Sequence, residues 1–222
     1  MNIHFGRGDI MGYPPDWRVG ADPEAAAALM RDYPFAHLIT AHRGLRSTRI
    51  PLIADLEDGR PKRLRGHLNA QNPQTRGLDG RQALVTFDGP ASYVSPNWRT
   101  DLSRAGTYDY EQVQVRGTVK LVADIAFFRR LIDDLAAMIE PQYAEVGDYP
   151  VWQTAMSPPG YIERLFPAIT AFEVEVESVE MISKLHQAFS EADRRSISNH
   201  LARSRREDAR AIAARIRAQL DG

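Results

Sequence analysis

Apolar and polar residues alternate most regularly between Glu111 and Val122. Val113, Val115, Val119 and Leu121 stand against Gln112, Gln114, Thr118 and Lys120, the period of two that marks a strand with one wet face. The period then lengthens to three and four. Asp124 is placed to cap a helix whose apolar face is Phe127, Phe128, Leu131, Leu135, Met138 and Ile139, with Pro141 just past its end. Phe172, Val174 and Val176, separated by Glu173 and Glu175, restore the strand period.

Weaker signals fill in the rest. Asp22-Pro23-Glu24 reads as an N-cap, an N1 proline and an acid in the first turn of a helix running to about Asp32, which Pro34 stops. Strands are expected at Phe35 to Ala41 and, after an Arg43-Gly44 turn, at Leu45 to Ile53, where Pro51 argues for an edge or a bulge. Asp58-Gly59 is a hairpin turn before a strand at Leu64 to Leu68. Asn72-Pro73 opens a helical turn ending at Gly77. Ala83 to Phe87 and Ala91 to Val94 are expected as two strands parted by Asp88-Gly89-Pro90. A short helix is expected at Tyr161 to Leu165, and one final helix at about Glu191 to Leu220, with Ile197, Leu201, Ala209, Ile212, Ile216 and Leu220 as its stripe. The opening segment is aromatic and Pro-rich, with Tyr13, Pro14, Pro15 and Trp17. Strands that cluster, without regular βαβ alternation, favour an antiparallel barrel or sandwich with peripheral helices.

Composition narrows the chemistry. The 222 residues are 43% hydrophobic and 26% charged, which suits a globular protein with a sizeable core. With no cysteine, disulfides, thiolate metal sites, cysteine nucleophiles and covalently attached haem drop out. No apolar run approaches roughly 18 residues, and Met1 to Gly12 lacks the apolar segment of a secretory signal. A cytoplasmic protein that engages no membrane is expected. The net charge of −1 conceals a C-terminal segment, Arg194 to Arg217, of charge +6. Such a tail is either a solvated helix face or a surface for anions and DNA. It sets off 191–222 as a basic arm, part of the same domain or a contact to a partner, from a cofactor-binding domain at 1–190.

No dinucleotide fingerprint, P-loop, zinc-protease helix or serine elbow is present, and the six histidines form no metal spacing. Three segments carry more interest. Gly66 to Pro73 sets His67 beside Asn69, Gln71 and Asn72 at a helix start, where free N–H groups favour an anion. Gly89 to Trp98 gathers Tyr93, Ser95 and Trp98 among prolines, a mixture suited to a flat ligand with polar edges, a flavin or a porphyrin. Lys184-Leu185-His186-Gln187 offers an ammonium and an amide for a phosphate or carboxylate.

In this order the segments resemble the PaiB-like family, described as FMN-binding negative transcriptional regulators. The matching pieces are Asp32 to Ala36, Ile50-Pro51-Leu52, Gly66-His67-Leu68 with Asn72-Pro73-Gln74, Gly89-Pro90 with Tyr93 to Trp98, Thr107 to Tyr110 with Val113 and Gly117, and Lys184-Leu185-x-Gln187. The resemblance spans about Tyr13 to Gln187. It implies an α+β fold, the antiparallel split β-barrel of pyridoxamine-phosphate-oxidase-like proteins, with peripheral helices and a C-terminal helix. It also implies a homodimer with cofactor sites at the subunit interface. The chain departs from the pattern in places. Tyr108 and Asp109 replace the usual Trp-Asn, Lys184 to Ala188 replaces Lys-Leu-Ser-Gln-Asn, and Arg49, Ala70 and Thr75 stand where His, Arg and Trp are common.

Several functions are compatible with that resemblance. One is an FMN-binding regulator whose basic tail meets DNA. Another is a haem enzyme similar to piperazate synthases, relatives of this family that close an N–N bond in an N-hydroxylated amino acid. There His67 would be the axial ligand of non-covalent haem b, and Tyr108, Tyr110, Ser95 and His186 would serve a small-molecule substrate. A flavin oxidoreductase is a third, and a cofactor-free interaction module a fourth. The cofactor is FMN or haem, not both. Its contacts would come from Thr48, His67, Gln71, Asn72, Tyr93, Trp98, Lys184 and Gln187.

Overall fold

The computed structural model describes residues 22–146 and 150–221. The Tyr13 to Trp17 segment lies outside the described residues. Seven strands form one sheet: β1 (Phe35–Thr40), β2 (Arg46–Pro51), β3 (Ile53–Glu57), β4 (Arg60–Asn69), β5 (Gln82–Val94), β6 (Thr107–Leu121) and β7 (Ile169–Lys184), in the spatial order β2-β1-β5-β6-β7-β4-β3. β1 pairs antiparallel with β2 and β5, and β4 with β3 and β7. The side-chain contacts Gln82–Thr118 and Asp88–Gln112 run in opposite directions along β5 and β6, as an antiparallel pair requires.

Leu52 alone parts β2 from β3, the two edges of the sheet. Consecutive strands at opposite edges require a sheet that curls back on itself, the arrangement of a split barrel. Leu52 is buried, and its N–H donates to the Pro34 carbonyl at 2.9 Å. The expected strand at Leu45 to Ile53 is thus two strands. Pro51 ends an edge strand, where its missing N–H costs no ladder bond.

Two other expectations change. The strands at Ala83 to Phe87 and Ala91 to Val94 are one, β5, with Pro90 inside it. β1 covers only Ala83 to Thr86 on that side, so no β1 carbonyl waits for the donor that Pro90 lacks. The single C-terminal helix is two, α4 (Glu191–Leu201) and α5 (Glu207–Asp221). They fold against each other through Arg194–Gln219, Arg217–Asn199 and a buried bond from Ser198 to the Ala213 carbonyl. Elsewhere the reading holds. α1 is Pro23–Asp32, α2 is Ile125–Ile139 with Asp124 accepting from the Ala126 and Phe127 N–H groups, and α3 is Tyr161–Leu165.

Contacts sort the described residues into two units, 23–87 with 114–179 and Asp22 with 88–113 and 180–221. In the first, α2 lays Phe127, Phe128, Leu131 and Leu135 over Ala171 of β7 and Ile162 of α3. In the second, Ile197, Leu201, Ala209, Ile212 and Ile216 of α4 and α5 bury themselves with Val94 and Leu185, so the helical stripe is core. Among the described residues no helix is long and apolar enough to cross a membrane.

Candidate functional site

Within the first unit, Asn72 and Thr48 meet. The Asn72 side-chain amide donates to Thr48 Oγ1 at 3.1 Å, and Thr48 in turn donates to the Gln74 side-chain carbonyl at 2.7 Å. Gln74 is fully buried and spends its amide on the Leu38 carbonyl and on Thr40. The helical turn is only Pro73–Thr75, and Asn72 Oδ1 takes the Gln74 N–H. The free N–H groups expected at a helix start are therefore committed within the turn. Gln71 is exposed beside this network.

His67 lies on β4 opposite Ala171. Alternation sends Arg65 and His67 to the face covered by α2. Arg65 reaches Asp134 there, and His67 meets Phe128 edge-on at 5.7 Å between ring centres. His67 Nδ1 is buried without a hydrogen-bond partner. Burial pushes the imidazole pKa down, favouring the neutral ring.

The inward face of β6 carries two acids where its period demands apolar residues. Glu111 accepts from Ser183 at 2.9 Å and pairs with Arg215 of α5. Asp109, fully buried, receives His186 Nδ1 at 2.7 Å from both carboxylate oxygens. Burial pushes the Asp109 carboxyl up, and His186, Lys184 and Arg194 pull it part of the way back. The hydrogen bond sets the His186 tautomer, with Nε2 as the open position. Nε2 is itself buried and unpartnered, and the ring packs on Phe189 at 4.7 Å. Two departures from the PaiB-like pattern, Asp109 and His186, thus touch each other. A carboxylate-oriented imidazole is a general-base geometry, here closed off from water.

The neighbouring candidates are partly spent on the fold. Lys184, the last residue of β7, donates to Thr107. Gln187 accepts from the Leu185 N–H and donates to the Ser183 carbonyl, holding the turn in which His186 takes a φ of 56°. Ser95 caps the short 3-10 helix Pro96–Trp98 by accepting from the Asn97 N–H. Tyr110 is half-buried on β6.

Tyr93, Trp98 and Tyr108 come together in the second unit, on a cleft of about 450 Å³ whose other wall is the α4–α5 turn. Tyr93 and Tyr108 meet edge-to-face at 5.8 Å, and Trp98 stacks on His200 at 5.4 Å with planes 8° apart. Arg203 and Arg206 line the same cleft. Gly106 makes room for it, since a Cβ there would fall 2.0 Å from the Tyr93 hydroxyl. Sequence reasoning missed His200, Arg203 and Arg206 as partners of these aromatics, and Gln74 and Asp109 as members of buried networks. No local pattern joins Trp98 to His200 across the intervening chain.

Comparison with known proteins follows the same lines. Residues 11–178 match the family model described as "Putative FMN-binding domain". Protease synthase and sporulation protein PAI 2 of Bacillus subtilis is 25% identical over 203 residues, covering 90% of this chain and 94% of that protein. An uncharacterised protein of Aspergillus fumigatus is 28% identical over 214 residues, covering 76% and 82%. Among solved structures, the FAD and haem binding protein of Mycobacterium smegmatis superposes with a TM-score of 0.55 at 14% identity, covering 76% of this chain and 73% of that one. The flavocytochrome Anf3 of Azotobacter vinelandii gives 0.53 at 15%, covering 73% and 67%. The two structures share the fold, and the domain match reaches across β1 to β6 and most of β7. On this ground the chain belongs to the PaiB-like family of FMN-binding-domain proteins.

Proposed function

We propose that this chain is a cytoplasmic protein that binds FMN non-covalently and works as a homodimer. The observation that carries the reading is the FMN-binding-domain match over residues 11–178, which takes in the segments around Thr48, Gln71 and Asn72. FMN, when bound, supplies one- or two-electron redox chemistry. The residues proposed to hold it are Thr48, Gln71 and Asn72 of the first unit; of the other expected contacts, Lys184 and Gln187 are bonded within the second unit, and Tyr93 and Trp98 wall a cleft of their own there. The structure bears on this set unevenly. Gln71 is exposed with its side chain open, whereas Thr48 and Asn72 reach a ligand only through what their shared hydrogen bonds leave over.

A second reading, haem b on His67, is favoured by one specific observation. Burial keeps the imidazole neutral and leaves Nδ1 without a partner, and a neutral ring with an unsatisfied nitrogen suits an iron ligand. Both named structural neighbours are described as flavin proteins that also bind haem or are cytochromes.

A visible spectrum of the protein purified from cells supplied with riboflavin, iron and a haem precursor separates the readings. Bands near roughly 370 and 450 nm that bleach on reduction support FMN. A Soret band near roughly 400–420 nm that His67→Ala removes supports haem. A colourless protein that takes up neither cofactor on reconstitution overturns both.

A further inference from the structure

The cleft between Tyr93, Tyr108 and the α4–α5 turn has features that the flavin reading does not require. Tyr93 and Tyr108 are 48% and 58% exposed, although large aromatic rings gain most when buried. The Trp98–His200 stack adds a second flat surface. Charge is distributed selectively. Of the eight arginines between Arg194 and Arg217, Arg194 bonds Gln219, Arg195 bonds Glu191, Arg210 bonds the Ser204 carbonyl, Arg215 bonds Glu111 and Arg217 bonds Asn199. Arg203, Arg205 and Arg206 carry no side-chain hydrogen bond or ion pair among the described residues, and Arg205 does not line the cleft. Arg203 and Arg206 are the two arginines of this segment that line it. The wall they form lies beyond the residues matched by the family domain.

We infer that this cleft is a separate binding site for a flat aromatic molecule bearing one phosphate, of the mononucleotide class. The ring lies against the Tyr93–Tyr108 pair and the Trp98–His200 stack, and the phosphate meets Arg203 and Arg206, whose planar guanidinium groups suit its oxygens. The charge pattern argues for a small ligand over a nucleic-acid strand. Tracking a strand takes a row of free cations, and five of the eight arginines are already committed to protein groups.

The test titrates the full-length protein, its flavin content first read by absorbance, with AMP at low ionic strength. Calorimetry measures affinity and tryptophan fluorescence reports on Trp98, with Trp98→Phe as the control for the signal. Saturable AMP binding is expected, with adenosine and inorganic phosphate each at least about tenfold weaker. Arg203→Ala/Arg206→Ala is expected to weaken AMP at least about tenfold while leaving flavin content unchanged, because both side chains are exposed. Three results overturn the inference. One is absent AMP binding, or affinity that the double variant does not change. Another is FMN displacing AMP together with loss of flavin from the double variant, which makes the cleft the cofactor's own site. The third is a short single-stranded oligonucleotide binding far more tightly than AMP.

Discussion

His186 Nδ1 lies 2.7 Å from both carboxylate oxygens of Asp109, and the two side chains are almost completely withdrawn from solvent. Each is costly to bury alone. Together they satisfy one another, which explains why both departures from the PaiB-like pattern occur in one chain.

Removing one partner of this pair is expected to cost more than removing both. His186→Ala strands a buried carboxylate and is expected to lose about 3–5 kcal/mol of stability. Asp109→Asn/His186→Ala, which leaves no carboxylate to strand, is expected to recover most of that loss. Urea unfolding of Asp109→Asn, His186→Ala and the double variant gives the coupling directly. Additive losses would show that the pair contributes nothing as a pair.

The same variant has a definite pH behaviour. Burial already raises Asp109 above its unfolded value, and the hydrogen bond with His186 is the strongest influence pulling it down. Without His186 the carboxyl rises further. A raised carboxylate binds more protons folded than unfolded, so its contribution is greatest at low pH and is lost as pH rises through the folded value. The deficit of His186→Ala relative to wild type is therefore expected to shrink on acidification from neutral pH. Melting temperatures of both proteins across that range check it.

His67 acts in the opposite sense. Its pKa is held below the ordinary 6.5 by burial, so the stability it permits is present above 6.5 and lost as pH falls through the lower folded value. His67→Leu is expected to remove that part of the acid sensitivity, flattening the melting temperature between pH 7 and about pH 5. An unchanged acid slope would place the sensitivity elsewhere.

The C-terminal hairpin is expected to be indispensable for folding of the unit it belongs to. Ile212 is fully buried in the cluster with Val94 and Leu185, and Ile212→Ala is expected to cost about 2–5 kcal/mol in denaturant titration. Deleting 191–222 uncovers that cluster and leaves the buried Glu111 without Arg215. The truncated chain is expected to be insoluble, and a soluble, flavin-binding truncate would show the hairpin to be dispensable.

Two glycines separate a rigid neighbour from a yielding one. A Cβ on Gly117 would fall 2.1 Å from the Glu175 backbone oxygen, which cannot move without shifting β7. Gly117→Ala is expected to cost at least about 1–3 kcal/mol. At Gly106 the obstacle is the end of the exposed Tyr93 side chain. Gly106→Ala is expected to leave the melting temperature nearly unchanged, to displace Tyr93 from Tyr108 and to weaken AMP in the cleft.

What local pattern can encode was legible in the chain. The period of β6, the capped and amphipathic α2, the choice of edge or bulge posed by Pro51, and the apolar stripe from Ile197 to Leu220 all rest on neighbours a few residues apart, which the order of residues specifies directly. Boundaries failed where a distant partner decided them. Pro90 reads as a break until β1 is known to stop at Thr86, and the C-terminal helix reads as continuous until Ser198 is seen to bond the Ala213 carbonyl. The site divided in the same way. Tyr93, Trp98 and Tyr108 stood out by type and family pattern, and Asp109 and His186 stood out as departures from it. That Asp109 and His186 are partners, that Thr48 and Asn72 share a buried network with Gln74, and that Arg203 and Arg206 complete an aromatic cleft were decided by the tertiary structure alone. Each of these contacts joins residues far apart in the chain, and only the folded sheet and its helices bring their side chains within hydrogen-bonding or van der Waals reach.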